Sequence, residues 1–288
     1  MRPESRAARW SSQVNTLNHT LVADQQHLLE AVAAIVRQAG EAVMAVYRTD
    51  FDVQGKSDDS PVTEADRRAE VIITAALQQL TPDVPVIAEE AISAGQQPGV
   101  APGERFWLVD PVDGTREFVG RNGEFTVNVA LIDKGQPELG VVQAPALGLL
   151  YAGGPGMGAW CESDGPASAQ SRSPMRQPLG CRQPPTHGLT VVASRSHGDA
   201  ARLKAFLDGL RAPVAHTRVA GSSLKFCQIA AGQADVYPRL GRTMEWDTAA
   251  GQAVLMGAGG SVLTLDGDTL RYGKPGWENP DFVARGLR

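Results

Sequence analysis

Helical and strand-like segments alternate along this chain, and that alternation limits its possible folds more than any other feature of the sequence. From Gln25 to Tyr47 the apolar residues recur at three- and four-residue steps, the spacing of an amphipathic helix. A second helix is predicted from about Thr63 to Leu80, where Pro82 and Pro85 follow and end it. Shorter helices are predicted near residues 199–210, 222–231 and 247–258.

The strands are predicted from short apolar runs between loops that contain much of the Gly and Pro. We place them at residues 85–88, 106–110, 125–132, 139–143, 149–152, 189–193 and 234–237. Because helices and strands occur in both halves of the chain, a layered α/β sandwich is favoured over a barrel.

Residues 162–188 separate the predicted elements into two groups. This stretch is rich in Pro, Ser and Gln and has hardly an apolar residue, which is typical of a long surface connection. We therefore expect a loose N-terminal tail at residues 1–24, an N-terminal α/β half at 25–185 and a C-terminal α/β half at 186–288. The tail has no apolar run like that of a signal peptide.

The charge of the chain excludes some classes of partner. Its 288 residues include 32 Asp and Glu against 27 Lys and Arg, a formal net charge of -5. A protein that coats DNA or an anionic membrane needs a basic face, so neither is expected as the main partner. Small molecules and metal cations remain.

The cysteines and the hydropathy bear on the compartment. Cys161, Cys181 and Cys227 are odd in number and form no C-x-x-C pair, so neither a disulfide framework nor a structural zinc site is indicated. No stretch approaches the roughly 20 apolar residues of a membrane span. We expect a cytoplasmic protein in a reducing compartment, and peripheral association with the cytoplasmic face of the inner membrane stays open.

Residues 106–115 are the most informative segment for chemistry. An apolar strand delivers two carboxylates three residues apart, Asp110 and Asp113, and Gly114-Thr115 can then open a helix. Carboxylate oxygens suit hard cations such as Mg²⁺, which fills its remaining positions with water and substrate phosphate. The backbone N–H groups of Gly114 and Thr115 would add an anion site beside the metal.

A purely structural interpretation of these acids is also available. Asp110 and Asp113 could be turn or capping residues, because D-x-x-D spacing is common. Other acids favour the chemical interpretation, since Glu89-Glu90 follow a strand that we expect to be buried and Asp247 begins an apolar helix.

Asp66 likewise has two interpretations. Thr63-Glu64-Ala65-Asp66 fits the spacing of a capping box, which needs no catalysis. Asp66 becomes catalytic only if it accepts a hydrogen bond from a hydroxyl such as that of Thr115 and so helps to deprotonate the attacking water.

Together these motifs resemble those of the inositol monophosphatase superfamily, a group of Mg²⁺-dependent, lithium-sensitive phosphatases. The resemblance extends from about Leu28 to the C-terminus and implies a layered αβαβα sandwich of the inositol monophosphatase and fructose-1,6-bisphosphatase type. It rests on Asp66, Glu89-Glu90, residues 110–115 and residues 246–251 (Trp-Asp-Thr-Ala-Ala-Gly).

Within the superfamily, the chain resembles the 3'(2'),5'-bisphosphate nucleotidases of the bacterial CysQ type. Inositol phosphatases usually carry a different tripeptide after Asp-Gly-Thr, so Arg116-Glu117-Phe118 favours the nucleotidase branch. Further motifs of this type, in the same order, are residues 56–63, 121–128, 194–197, 221–227 and 237–239.

The resemblance also implies the members of the active site, with the metal site in the N-terminal half and the nucleotide contacts in the C-terminal half. The catalytic residues would be Asp66, Thr115 and Glu89, of which Asp66 and Thr115 orient the attacking water. The ligands of two or three Mg²⁺ ions would be Glu89, Asp110, the carbonyl of Val112, Asp113 and Asp247. The substrate would contact Glu89, Val112, Gly114, Thr115, His197, Ser222, Lys225, Arg239 and Asp247.

Lys225 and Arg239 suit a substrate that carries a second phosphate beyond the reach of the metals. Without the resemblance, Lys225 would be interpreted as a solvated side chain and His197 as part of a helix N-terminal turn. Arg239 would then be a residue that covers a strand edge.

The activity that the resemblance implies is hydrolysis of the 3'-phosphate of adenosine 3',5'-bisphosphate (PAP) to AMP and phosphate, with the sulfated analogue PAPS as a second candidate substrate. The enzyme would clear a by-product of sulfate assimilation. One alternative is an inositol monophosphatase or fructose-1,6-bisphosphatase activity, which residues 116–118 and Lys225 disfavour. Another is a non-catalytic protein that binds metal and nucleotide, which the complete set of candidate catalytic and metal-binding acids disfavours.

Overall fold

The computed structural model describes residues 6–49, 54–55, 61–62, 64–96, 99–101, 103–164, 175–194 and 200–287. The α-helices in these ranges are α1 (Arg6–Tyr47), α2 (Glu64–Leu80), α3 (Glu89–Ser93), α4 (Thr115–Val119), α5 (Ala200–Asp208), α6 (Leu224–Ala230) and α7 (Ala249–Gly257). Short 3₁₀ turns are formed by Pro145–Leu147 and Pro275–Trp277. The strands are β1 (Gln54–Gly55), β2 (Pro61–Val62), β3 (Val86–Ala88), β4 (Phe106–Asp113), β5 (Thr126–Asp133), β6 (Gln136–Ala144), β7 (Leu149–Gly154), β8 (Gly158–Ser163), β9 (Met175–Pro178), β10 (Leu189–Ser194), β11 (Val214–Ala220), β12 (Val236–Arg239), β13 (Ser261–Thr264) and β14 (Phe282–Arg285).

Two sheets carry the fold. The larger has seven strands in the order β3-β4-β5-β6-β7-β8-β9, and the smaller has five in the order β11-β10-β12-β14-β13. In the larger sheet β3 runs parallel to β4, and each later pair of neighbours is antiparallel. The short strands β1 and β2 pair with each other.

The apolar run of β4 divides between two hydrophobic cores. Trp107 and Val109 pack in the core beneath α1 and α2, whereas Phe106 and Leu108 pack in the core that includes α6 and α7. Successive side chains of a strand point to opposite faces, so a continuous apolar run is what a strand covered on both faces requires. The larger sheet is thus covered on both sides at β4.

Five layers follow from these contacts. Helices α1 and α2 cover the outer face of the larger sheet, and α6 and α7 lie between the two sheets. On the far face of the smaller sheet, Phe206 and Leu207 of α5 pack on Leu189 and Val191 of β10. The predicted αβαβα sandwich is therefore confirmed.

Several element boundaries differ from the prediction. The first helix begins at Arg6 rather than at Gln25. Met175–Pro178 forms strand β9 inside the stretch predicted to be a surface connection, and all four of its residues are exposed, so no apolar pattern marks it. The strand predicted to end at Asp110 continues to Asp113. The division of the chain at residues 24 and 185 stays a prediction.

None of the helices in the described ranges has the length and the hydropathy that a membrane-crossing segment requires.

Candidate active site

The two aspartates of the D-x-x-D segment face the same side of the larger sheet because β4 contains an extra residue. Asp110 pairs with Asn128 of β5 and Asp113 pairs with Thr126, so β4 advances three residues while β5 advances two. In a regular strand, residues three apart point to opposite faces, and a β-bulge of one residue restores them to one face. Pro111, which has no N–H for the ladder, lies within this irregularity.

Asp110 is buried with one carboxylate oxygen unsatisfied. Only 1% of the residue is exposed, and its Oδ1 atom has no hydrogen-bond partner. Burial, together with the charges of Glu89, Asp113 and Asp247, raises the pKa of Asp110 well above its ordinary value. Burying such a group is costly unless a cation or a donor compensates it. A bound cation would satisfy both the oxygen and the charge.

Asp113 is held by polar groups of β5 and faced by a cation. Its Oδ2 atom lies 3.4 Å from Thr126 Oγ1 and also 3.4 Å from Asn128 Nδ2. Burial raises the pKa of Asp113, and the charge of Lys225 opposes that rise.

Asp247 reaches the same place from the segment before α7. Its Oδ2 atom accepts a hydrogen bond from the amide of Met244 at 2.9 Å, and its backbone carbonyl accepts one from Ser223 Oγ at 2.7 Å. Burial, with Asp113 and Glu89 close by, raises the pKa of Asp247 well above its ordinary value.

Two further acids arrive from helix N-termini. Asp66 lies in the first turn of α2 and is 1% exposed, and Glu89 is the first residue of α3, directly after β3. The charges of both act on Asp110 to raise its pKa. The structure therefore brings the five predicted acids together, namely Asp66, Glu89, Asp110, Asp113 and Asp247.

These donors fit a hard divalent cation that keeps part of its water. In the described part of the chain, no three Asp, Glu, His or Cys side chains form a ready-made ligand group. Mg²⁺ does not require one, because it commonly binds through one or two carboxylates and completes its shell with water and phosphate. The unpaired Asp110 Oδ1 and the purely oxygen character of the set agree with such an ion.

The backbone after Asp113 turns sharply into α4. Gly114 has a φ of 89°, in the left-handed region that favours glycine. A Cβ at this position would lie 2.2 Å from Ser222 Oγ, and that hydroxyl donates to the carbonyl of Asp113 at 2.8 Å. Helix α4 begins at Thr115, and Gly114, Thr115 and Ser222 line one cavity with Asp113 and Asp247.

The same cavity, which has a volume of about 380 Å³, is also lined by buried cations. Lys225 is 5% exposed and Arg239 is 8% exposed. Burial lowers the pKa of Lys225 to about 8, and its Nζ donates to the carbonyl of Ser222 at 2.5 Å. Arg239 Nη2 donates to the carbonyl of Arg242 at 2.6 Å, while its Nε is buried without a partner. An anion in the cavity would find cationic groups already in place.

Both plain interpretations of these cations are wrong. Lys225 is not a solvated side chain, because it is buried on α6. Arg239 does not cover a sheet edge, because β12 lies between β10 and β14 in the smaller sheet.

The described part of the structure supplies no side-chain contact in the cavity for two other predicted site residues, His197 and Val112. His197 lies outside the described residues, as do Thr63 and residues 56–60 of the first motif. The side chain of Val112 packs in the core beneath α1 and α2, so only its backbone carbonyl is available as a ligand.

Several residues that shape the cavity had no predicted role in the site, although four of them lie within the motifs quoted above. Thr126, Asn128 and Ser223 hold the acids, and Arg116 and Arg242 line the cavity. Polar side chains in the otherwise apolar strand β5 could have indicated Thr126 and Asn128. Arg242 carries no comparable indication.

Comparison with known proteins places the chain in a family. The model of the inositol monophosphatase family matches residues 24–285. The chain belongs to the inositol monophosphatase family. Members of this family are generally metal-dependent phosphatases, which agrees with the acids described above. The resemblance predicted from the motifs is therefore confirmed.

Within the inositol monophosphatase family, the similar curated proteins include bacterial nucleotidases. The 3'(2'),5'-bisphosphate nucleotidase CysQ of Escherichia coli strain K12 is 46% identical over 261 residues, which cover 88% of this chain and 98% of that protein. Among solved structures, CysQ from Bacteroides thetaiotaomicron is 35% identical with a TM-score of 0.73, covering 91% of this chain and 98% of that one. An inositol monophosphatase from Zymomonas mobilis shares the fold, with a TM-score of 0.71, 22% identity, and coverage of 91% and 93%.

Proposed function

We propose that this chain is a metal-dependent 3'(2'),5'-bisphosphate nucleotidase that hydrolyses the 3'-phosphate of PAP to AMP and phosphate. The observation that carries the proposal is one cavity lined by Asp113 and Asp247 together with the buried Lys225 and Arg239. A substrate with two phosphates matches this lining, because one phosphate can bind beside the metal and the other can pair with the cations. The activity in the name of the Escherichia coli relative, a 3'(2'),5'-bisphosphate nucleotidase, supports the same conclusion.

Magnesium is the metal that we assign to the acids of the site, as two or three ions. Its ligands would be Glu89, Asp110, the carbonyl of Val112, Asp113 and Asp247. When bound, magnesium would supply positive charge to the scissile phosphate and acidify the attacking water. The four carboxylates match the charge of two divalent cations, which would also relieve the repulsion that raises the pKa of Asp110.

Asp66 and Thr115 are assigned to the movement of a proton from water. The hydroxyl of Thr115 would donate to the carboxylate of Asp66, so that the threonine oxygen is directed to accept a hydrogen bond from the water. The same network holds the water in line with the leaving oxygen. The N–H groups of Gly114 and Thr115 would meanwhile donate to oxygens of the scissile phosphate.

The second phosphate of PAP is assigned to Lys225 and Arg239. Arg239 Nε is buried without a partner and would donate to a phosphate oxygen. Lys225, whose pKa burial lowers to about 8, is still mainly protonated at pH 7. Ser222 and His197 complete the predicted nucleotide contacts. PAPS carries the same 3'-phosphate, so we propose it as a second substrate, and clearance of a sulfate-assimilation by-product as the role.

A substrate panel tests this assignment. Phosphate release is measured from PAP, adenosine 3'-monophosphate, AMP, inositol 1-phosphate and fructose 1,6-bisphosphate, with and without Mg²⁺ and lithium. We expect release from PAP that requires Mg²⁺ and is inhibited by lithium. The kcat/KM for adenosine 3'-monophosphate should be about 10- to 100-fold lower, since one charge-assisted contact contributes about 1.5–3 kcal/mol.

Each alternative activity predicts a different result in that panel. Preferred turnover of inositol 1-phosphate or fructose 1,6-bisphosphate would assign the chain to another branch of the family. Tight binding of PAP without phosphate release would indicate a non-catalytic binding protein.

A further inference from the structure

Glu70 ties helix α2 to the start of α3. Its two carboxylate oxygens accept hydrogen bonds from the backbone N–H groups of Glu90, at 2.8 Å, and Ala91, at 2.9 Å. Both amides belong to the first turn of α3, the helix whose first residue is Glu89. Glu70 itself lies one turn after Asp66 on α2, on the same side of that helix.

Helix α3 obtains from Glu70 an acceptor that its own N-terminus does not provide. The residue at the N-cap position, Ala88, has an extended backbone and forms no side-chain cap. The first N–H groups of any helix lack partners within the helix, and Ser, Thr, Asp or Asn at the N-cap usually supplies one. A helix of five residues has few internal bonds to keep it in place, so an external acceptor has a large influence on its direction.

The position of Glu70 is costly, which argues against a role in packing alone. Burial raises the pKa of Glu70 to about 7, and the charges of Glu90 and Glu89 add to that rise, although the two amide hydrogen bonds oppose it. A third carboxylate beside two others would be a poor choice for stability. The contacts show what offsets this cost, because the Glu70 carboxylate holds the backbone amides of Glu90 and Ala91.

We propose that Glu70 is a positioning residue that fixes the direction in which Glu89 presents its carboxylate to the metal site. The proposal rests on the proposed function only in that Glu89 is a metal ligand. Glu70 and Asp66 lie on one face of α2, so this helix holds the residue assigned to proton transfer and also anchors the helix that carries a ligand. A change at Glu70 should therefore weaken the affinity for metal more than the affinity for the nucleotide.

Magnesium affinity is the measurement that separates this role from a structural one. Mg²⁺ is titrated by calorimetry into the metal-free full-length protein without substrate, for wild type, Glu70→Gln and Glu70→Ala. Residues that orient a metal ligand typically change affinity by about 10- to 100-fold when replaced. We expect a loss of that size in Glu70→Ala and a smaller loss in Glu70→Gln, because glutamine keeps one acceptor oxygen. At saturating Mg²⁺, the KM for PAP should change by less than about twofold.

Glu64→Gln is the matched control. Glu64 lies on the same helix but is exposed, where it pairs with Arg68, and its replacement should leave Mg²⁺ affinity unchanged. The melting temperature of each metal-free variant is measured in parallel, so that unfolded protein is distinguished from weakened binding. If Glu70→Ala does not fold, Glu70→Gln alone decides, since wild-type affinity in that folded variant would overturn the proposal.

Three further outcomes have definite meanings. Unchanged Mg²⁺ affinity in both Glu70 variants, or no Mg²⁺ binding by the wild type, overturns the proposal. A wild type that binds Mg²⁺ but releases no phosphate from PAP contradicts the proposed function, and the affinity comparison would still confirm or overturn the role of Glu70.

Discussion

Asp110 and Asp235 are both buried, yet the protein surrounds them in opposite ways. Asp110 has an oxygen without a partner and stands among other acids, and its pKa is raised. Asp235 lies directly before β12, and its carboxylate accepts hydrogen bonds from Arg182 Nε at 2.8 Å, Arg182 Nη2 at 2.7 Å and the amide of Thr190 at 2.6 Å. Burial acts to raise the pKa of Asp235 as well, but the hydrogen bonds from Arg182 and Thr190 outweigh it and the pKa is lowered.

This difference distinguishes carboxylates that stabilise the fold from carboxylates that are available to bind a ligand. Glu245 belongs with Asp235, because it is fully buried and accepts the amides of Gly273, at 2.7 Å, and Lys274, at 2.9 Å. A buried acid whose partners are all supplied by the chain contributes to stability, whereas one left incomplete among like charges is a candidate for function.

The comparison predicts its largest effect for Asp110→Asn. The variant should lose about 1000-fold or more in kcat/KM for PAP, because metal ions supply several kcal/mol of transition-state stabilisation and each 1.4 kcal/mol is tenfold in rate. Its metal-free melting temperature should be equal to or above that of the wild type, since a neutral amide removes a repelled charge. Steady-state kinetics and calorimetry measure both. Activity within about tenfold of the wild type would contradict the metal assignment.

Asp235→Asn should show the reverse pattern. Loss of the carboxylate leaves Arg182 with a poorer partner, so the free energy of unfolding should fall by about 2 kcal/mol, a value reduced because the guanidinium is one-third exposed. The kcat/KM of the folded protein should stay within about twofold of the wild type. Urea denaturation and kinetics at a temperature where the variant is folded test this. A large loss of activity without loss of stability would remove the distinction drawn between the two aspartates.

The smallest expected effect is a dependence of stability on pH in the absence of metal. Folding raises the pKa of Asp110, and it raises the pKa of Glu70 to about 7. A carboxyl of this kind favours the folded state increasingly as pH falls through its raised pKa. Asp235, whose pKa is lowered, keeps its contribution until the pH falls below about 4. The melting temperature should therefore rise by about 2–4 °C between pH 8 and pH 5.

The same pH series is repeated with the Asp110→Asn variant and, for the wild type, in saturating Mg²⁺. The rise should be smaller in Asp110→Asn and should disappear in saturating Mg²⁺, because the bound cation keeps the acids ionised. A metal-free melting temperature that falls steadily from pH 8 to pH 5 would show that the acids are not strained by their mutual charge.

Most of the buried elements could be predicted from the sequence because their pattern is local, although the buried strand β14 was not among the predicted strands. The continuous apolar run in β4 predicts a strand that is covered on both faces, and Trp107 and Phe106 do pack in opposite cores. Strands β9 and β11 could not be predicted, because β9 is wholly exposed and in β11 only Ala220 is buried. Their extended state depends on pairing with β8 and β10, which no short window of sequence reveals.

The acids of the site could be named because each follows or begins an apolar element. Their geometry could not, since D-x-x-D in a regular strand would point its two carboxylates apart. The burial of Lys225 was equally hidden, because the carbonyls of Ala220 and Ser222 that hold it come from a turn in which Ser222 has a φ of 49°. Such a turn is set by tertiary contacts rather than by residue type.

The irregularity in β4 has a consequence for how this protein tolerates mutation. Pro111 and Val112 have no partners in the register with β5, so the pairing is interrupted between the two aspartates. A strand with D-x-D spacing would also point both carboxylates the same way, but its pairing would continue without interruption. The Val112 carbonyl that we assign to the metal belongs to the main chain, so it survives every exchange of side chain at Val112, whereas the core packing there depends on the valine. This part of the site would be lost through the deletion of one codon more readily than through a missense change.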